Sequence, residues 1–213
     1  FMFQDCVVDA SEATFVNMGI ILNGNVQISG LTITASRYVD DQEFATANGA
    51  LVYVTSDDNV LDGLNIQYAP DEGYDAYGIV FDQANNFQLL NSVIEFTGPN
   101  YGDYYEYAMK IDHCQGTNIV RGNKITANLP ILAVDYSAGN PGLDTDRVLN
   151  TGIRDSSVDI INNRFYANVI GSDNNYPTLD CLMLESCDGV NIIDNVFEET
   201  DFITPEGEAN YLN

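Results

Sequence analysis

The chain has 213 residues, with 32 acidic side chains against seven basic ones, a formal charge of −25 and no tryptophan. Such a surface repels nucleic-acid phosphates and anionic bilayers, and no basic patch offsets it, so nucleic acid is excluded as a partner. No apolar run reaches the ~18 residues of a spanning helix and no signal peptide is visible, so membrane insertion is not expected. The acidity suits a saline or cation-rich medium, where counterions screen self-repulsion.

Along the chain, one pattern returns. A partial copy opens it, with Phe3, Asp5, Cys6 and Val8 at the positions that Ile28, Gly30, Leu31 and Ile33 hold in the first full copy, Asn25 to Ile33. Later copies end at Ile66, Ile94, Ile125, Phe165 and Phe197, among them TNIVRGNKI, SVDIINNRF and GVNIIDNVF. The anchors Phe3, Ile28, Leu61, Leu89, Val120, Ile160 and Ile192 lie 25, 33, 28, 31, 40 and 32 residues apart. Self-similarity at periods of ~20–50 residues marks a solenoid rather than a domain around one central core. Within each copy the apolar positions alternate with period two, which specifies short strands. A strand precedes each anchor strand (Gly19–Leu22, Ala50–Val54, Gly78–Phe81, Ala108–Ile111, Cys181–Leu184) and a third follows it, as in Leu31–Ile33 and Ser92–Phe96. No stretch carries the ~10–15 residue amphipathic pattern of a crossover helix, which argues against a doubly wound sheet.

Between the second and third strands, Gly30, Gly63, Asn91, Gly122, Asn162 and Asp194 share one column, and these residue types tolerate left-handed backbone. The next column holds Cys6, Leu31, Leu64, Ser92, Asn123, Asn163 and Asn195. Pointing inward, its amides can bond to each other and to the bend's backbone, with Asn123 a rung further off because of the 40-residue spacing. This stacked ladder resembles the right-handed parallel β-helices of the pectate-lyase-like superfamily, over nearly the whole chain. The resemblance implies an all-β, right-handed parallel β-helix of about six to seven coils, with three short strands per coil and an Asn ladder at one turn. The right hand also follows from the general chirality of parallel crossovers. Residues 1–200 are expected to form a single solenoid, with 201–213 a tail or link. Phe1 enters in mid-repeat, which suggests a segment of a longer protein. Cys114 and Cys187 fall at like points of coils two rungs apart, roughly 9–10 Å, too far for a disulfide, so buried thiols are expected.

Function on such a scaffold sits on loops and on the strand face beside them. The insertions Ala35–Asn48, Ala69–Tyr77, Thr97–Tyr107, Ala127–Asn150 and Ala167–Asp180 all join a third strand to the next first strand, so they gather along one side. Tyr74, Tyr77, Tyr101, Tyr104, Tyr105 and Tyr107 sit there among Asp71, Glu72, Asp75, Asp103 and Glu106. Flat rings with polar tips beside hydrogen-bond acceptors suit a neutral glycan; the same tyrosines would equally cover exposed coil edges. Loop carboxylates could hold Ca2+, although no EF-hand-like spacing is present.

On the first strands, outward positions bring together Asp82, Lys110, Asp112, Arg154 and Glu185, with His113 alongside. Paired carboxylates ~5–10 Å apart serve glycoside hydrolysis, and the resemblance adds lyases that use a Lys or Arg beside calcium-bound acids. A ladder of alternating charge is also what neutralisation between rungs produces. The superfamily includes polysaccharide lyases, glycoside hydrolases, viral tailspikes and adhesins. The expectation drawn here is a noncatalytic extracellular or cell- or virion-surface module for adhesion, display or glycan recognition. Its expected partners are a carbohydrate or cell-surface glycan and further coils or copies of the same protein. The alternative is a polysaccharide-active lyase or hydrolase using the Asp82, Lys110, Asp112, Arg154 and Glu185 face.

Overall fold

A computed structural model describes residues 2–4, 7–9, 20–38, 50–70, 76–96, 106–130, 148–170, 181–203 and 209–210. Two short strands, β1 (Met2–Gln4) and β2 (Val7–Asp9), come first. Coils of three strands follow: β3 (Ile20–Leu22), β4 (Gln27–Ser29), β5 (Thr32–Tyr38); then β6 (Ala50–Val54), β7 (Val60–Asp62), β8 (Asn65–Pro70). Next are β9 (Ala76–Asp82), β10 (Gln88–Leu90), β11 (Val93–Phe96), and β12 (Glu106–Asp112), β13 (Ile119–Arg121), β14 (Lys124–Pro130). Last are β15 (Val148–Arg154), β16 (Val158–Ile161), β17 (Arg164–Ile170), and β18 (Met183–Glu185), β19 (Val190–Ile193), β20 (Val196–Ile203), with β21 (Ala209–Asn210) closing the series.

Every third strand pairs, so like strands collect into three sheets, ordered β1-β4-β7-β10-β13-β16-β19, β2-β5-β8-β11-β14-β17-β20-β21 and β3-β6-β9-β12-β15-β18. All pairings are parallel except the antiparallel pair of β20 with β21. The chain is an all-β parallel β-solenoid with three strands per coil. The anchors stand in one continuous register, Phe3 opposite Ile28, then Leu61, Leu89, Val120, Ile160 and Ile192.

The expected six to seven coils overcount the closed solenoid. A coil is sealed only when buried neighbours lie above and below it, and this holds for about three: 50–70, 76–96 and 106–130. Their inward Leu61, Leu89 and Val120 are fully buried. On the last coil Leu184, Ile192 and Phe197 are about half exposed, because no further described rung covers them. Repeat counting finds strands, whereas burial needs a neighbour on each side.

The bends between sheets are left-handed where the sequence placed Gly, Asn and Asp: Gly30, Gly63, Asn91, Gly122, Asn162 and Asp194 have φ of 71°, 71°, 47°, 71°, 53° and 53°. From Gly30 to Asn162 each of these bend N–H groups still donates to the next coil, as from Gly63 N to Leu90 O at 2.9 Å and from Asn91 N to Arg121 O at 3.0 Å. The inward column behind the bend is buried from Leu31 to Asn163. Asn123 Nδ2 donates to Asn163 Oδ1 at 3.0 Å, and Asn163 Nδ2 to Asn195 Oδ1 at 2.9 Å. Asn123 is therefore adjacent to Asn163 rather than a rung further off, because the extra residues of the 40-residue spacing lie in the connection between β14 and β15. Asn195, on the open coil, is only half-buried.

No disulfide joins Cys114, Cys181 or Cys187, and Cys6 lies outside the described residues. Between Cys114 and Cys187 stands Ser156, whose Oγ accepts from Cys114 N at 2.9 Å, while Cys187 Sγ reaches Ile153 O at 3.3 Å.

Candidate functional site

The outward face of the β3-to-β18 sheet carries the candidate residues. Asp82, Asp112, Arg154 and Glu185 occupy one column on consecutive rungs, and Val80, Lys110, Gly152 and Met183 the column two residues earlier. The strand period thus brings these residues together from four coils, as the sequence implies. Rungs ~4.8 Å apart place each side chain within reach of the next.

Asp112 is the centre. Arg154 clamps it in a bidentate pair, Nε to Oδ1 at 3.0 Å and Nη2 to Oδ2 at 2.9 Å. Lys110 Nζ lies 3.5 Å from Oδ2, and His113 Nδ1 lies 2.6 Å from Oδ1. The carboxylate is nearly buried, with three cationic or ionisable neighbours around its two oxygens. Burial pushes its carboxyl up, but the Arg154 hydrogen bond and the charges of Lys110, Arg154 and His113 outweigh burial and hold it below the ordinary carboxylate range. Arg154 is correspondingly held more basic, chiefly by its hydrogen bond to Asp112. A general acid near neutrality needs the opposite displacement, and a base needs an oxygen with room for a substrate proton. Asp112 has neither.

Asp82 is engaged from the other side, accepting from Tyr53 Oη at 2.6 Å. Burial, and then that hydrogen bond to an anionic partner, push the Tyr53 hydroxyl well above the ordinary tyrosine value. Sequence reasoning passed over Tyr53; its outward parity, shared with Val80 and Lys110, was the available signal. Glu185 is exposed on the last coil, in register with Arg154.

The tyrosine expectation needs a correction. Tyr77 and Tyr107 are not loop residues but belong to β9 and β12, only 4% and 7% exposed, their rings stacked 5.4 Å apart and 8° from parallel. They form a second apolar cluster with Ala50 and Val80, with Lys110 Nζ 5.5 Å above the Tyr77 ring. Strict alternation from Ile79 would turn Tyr77 inward. The phase slips because two successive residues face the core, Leu51 and Val52 on one rung and Ala108 and Met109 on another. At Gly152 an added Cβ would stand 2.4 Å from Tyr107 Cε1, so glycine there admits the ring. Rings covered this way offer no open face to a sugar. Tyr74, Tyr101, Tyr104 and Tyr105 lie outside the described residues, as do Asp71, Glu72, Asp75 and Asp103.

Among the described residues no group of three or more His, Cys, Asp or Glu side chains is arranged to hold a metal ion. A shallow, open depression beside the site is lined by Asp57, Asn85, Asn86, His113 and Gln115. Its polar groups are largely spent on the fold: Asp57 Oδ1 accepts from Asn85 N at 2.8 Å, and Asn85 Oδ1 from Gln115 N at 2.7 Å. No family model, curated protein or solved structure matches this chain, so the reading of the site rests on its own geometry.

Proposed function

We propose that the chain is a noncatalytic surface module, a right-handed parallel β-helix that holds projecting loops for adhesion or carbohydrate recognition. One observation carries this reading: Asp112, the carboxylate best placed for chemistry, is occupied by Arg154, His113 and Lys110 and held ionised. The outward charges then serve to join rungs, in keeping with cross-strand pairing. The long connections support the same reading. Each joins a strand of the β2-to-β21 sheet to one of the β3-to-β18 sheet, as between Tyr38 and Ala50 or Pro130 and Val148, so their end points line up between the same two sheets. The right hand rests on the chirality of parallel crossovers. The likeness of the Asn ladder to pectate-lyase-like β-helices supports an extracellular or particle-surface setting with a glycan, or further coils of the same kind, as partner.

A glycan array tests this with two variants. Binding that persists in Asp112→Asn and is lost when Tyr104 and Tyr105 both become Ala supports loop recognition. Binding that follows Asp112 instead points to the strand face and to the polysaccharide-active alternative.

A further inference from the structure

Four ion pairs gather at one joint of the stack: Arg154–Asp112 and His113–Asp155 cross from the coil of β15 to the coil of β12, and Lys110–Asp112 and His113–Asp112 lie beside them within the β12 coil. That joint also carries the longest connection between successive strands, from Pro130 to Val148. Four residues there form a square of alternating charge. Asp112 ends β12 opposite Arg154 at the end of β15, and the next residues along, His113 and Asp155, face each other in turn. His113 Nδ1 lies 2.6 Å from Asp112 Oδ1 and Nε2 lies 3.3 Å from Asp155 Oδ2. Its N–H donates to Arg154 O at 3.0 Å, and its left-handed backbone, φ 53°, aims the ring across the rungs.

Both ring nitrogens therefore face carboxylate oxygens. A neutral imidazole has one N–H and one lone pair, so either tautomer would turn a lone pair towards one of the two carboxylates. Only the imidazolium satisfies both. We propose that Asp112, His113, Arg154 and Asp155 form a proton-dependent clasp across this joint, closed when His113 is charged and released on the Asp155 side when it is neutral. Asp155 is the leg that opens, because its contact is longer and its carboxylate far more exposed than that of Asp112.

The groups facing the ring are few. Lys110 and Asp112 come from β12, Arg154 and Asp155 from β15 and its bend, Asp82 and Glu185 stand in register one rung beyond on either side, and Asp57 lies across the depression. Protonating the ring satisfies both carboxylates and deprotonating it gives up one, so the His113 contribution weakens as pH rises. Asp112 sets the other limit. Held below the ordinary carboxylate range, it contributes above that range and gives way only in stronger acid. The clasp is tightest in mildly acidic solution and loosens towards alkaline pH, weakening the joint between the ends of β12 and β15.

His113 is the only histidine in the chain, so its ring nitrogens can be followed by selective 15N labelling without assignment. The experiment titrates that ring in the intact chain and in Asp155→Asn. Urea unfolding is measured alongside at about pH 5.5 and about pH 8.5, either side of the ordinary histidine value. The clasp predicts that the ring titrates at lower pH in Asp155→Asn than in the parent. It also predicts a several-fold larger unfolding constant for the parent at the higher pH, a difference that shrinks by about half or more in the variant. Should Asp155→Asn fail to fold, His113→Asn keeps a residue suited to the left-handed bend and removes the ionising ring; it should flatten the pH difference. Identical titrations, or a pH difference unchanged in either variant, would overturn the proposal. The clasp rests on Asp112 being structural; polysaccharide turnover requiring Asp112 would remove that footing and leave the titration comparison readable on its own.

Discussion

Replacing Asn163 by Leu removes the middle of the amide ladder, and the structure sets the cost. Asn163 is fully buried; its Oδ1 accepts from Asn123 N at 2.9 Å and from Asn123 Nδ2 at 3.0 Å, and its Nδ2 donates to Val120 O at 2.9 Å. Some partners keep another bond: Asn123 Nδ2 still reaches Leu89 O at 3.0 Å, and Asn195 Oδ1 still accepts from Asn163 N at 2.8 Å. The uncompensated group is the buried N–H of Asn123, joined by a weakened Val120 carbonyl. A buried donor left without a partner costs about 1–3 kcal/mol, while the apolar leucine recovers about 1 kcal/mol of transfer energy in a near-isosteric site. The net loss is about 1 kcal/mol, and up to about 2 if the buried N–H costs the full amount. Urea unfolding followed by far-ultraviolet circular dichroism measures it as a shift in midpoint at unchanged slope. Asn191→Leu is the control, because that exposed side chain bonds only Asp159 at 2.7 Å and its loss should stay within about 0.5 kcal/mol. An Asn163→Leu protein as stable as the control would refute the ladder's energetic role.

Gly152→Ala should cost about 1–3 kcal/mol and alter the near-ultraviolet tyrosine signal, since its Cβ meets the Tyr107 ring at 2.4 Å. Arg154→Met leaves the nearly buried Asp112 charge without its bidentate partner. With Arg154 itself 45% exposed, the loss at neutral pH is about 1–2 kcal/mol, below the ~3–5 of a fully buried pair. Because Asp112 is held below the ordinary carboxylate range in the parent, the parent's advantage exists above that range and fades as pH falls through it, which acid titration of both proteins by circular dichroism would record. Burial pushes the Cys114 thiol up to about 12, so in the folded protein it should resist alkylation at pH ~8 and react only on unfolding, as mass spectrometry of labelled peptides would show.

Strand existence, order and register were legible because the interior imposes period two and like residues stack on like. The anchors from Ile28 to Ile192 align as the repeat does. Left-handed bends were legible only where glycine, Asn or Asp marks them. A second left-handed column, Gln83, His113, Asp155 and Ser186, escaped notice since two of its four residue types carry no such preference and tertiary hydrogen bonding enforces the conformation. Asn59 and Asn118, buried at another bend and accepting from Val26 N and Phe87 N, were missed because Val and Phe interrupt their column. At the site, the outward column of Asp82, Asp112, Arg154 and Glu185 could be read from parity. The fate of Tyr77 and Tyr107 could not, because it depends on the phase slip and on the absence of a Cβ at Gly152.

The central claim is that the Asp112 cluster joins coils and turns nothing over. Its most direct test incubates the protein and Asp112→Asn with a panel of neutral and acidic polysaccharides, assaying new reducing ends and unsaturated products. The account predicts no product from either protein, together with lower stability of the variant. Product formed by the parent and abolished in a variant whose circular dichroism spectrum is unchanged would contradict it.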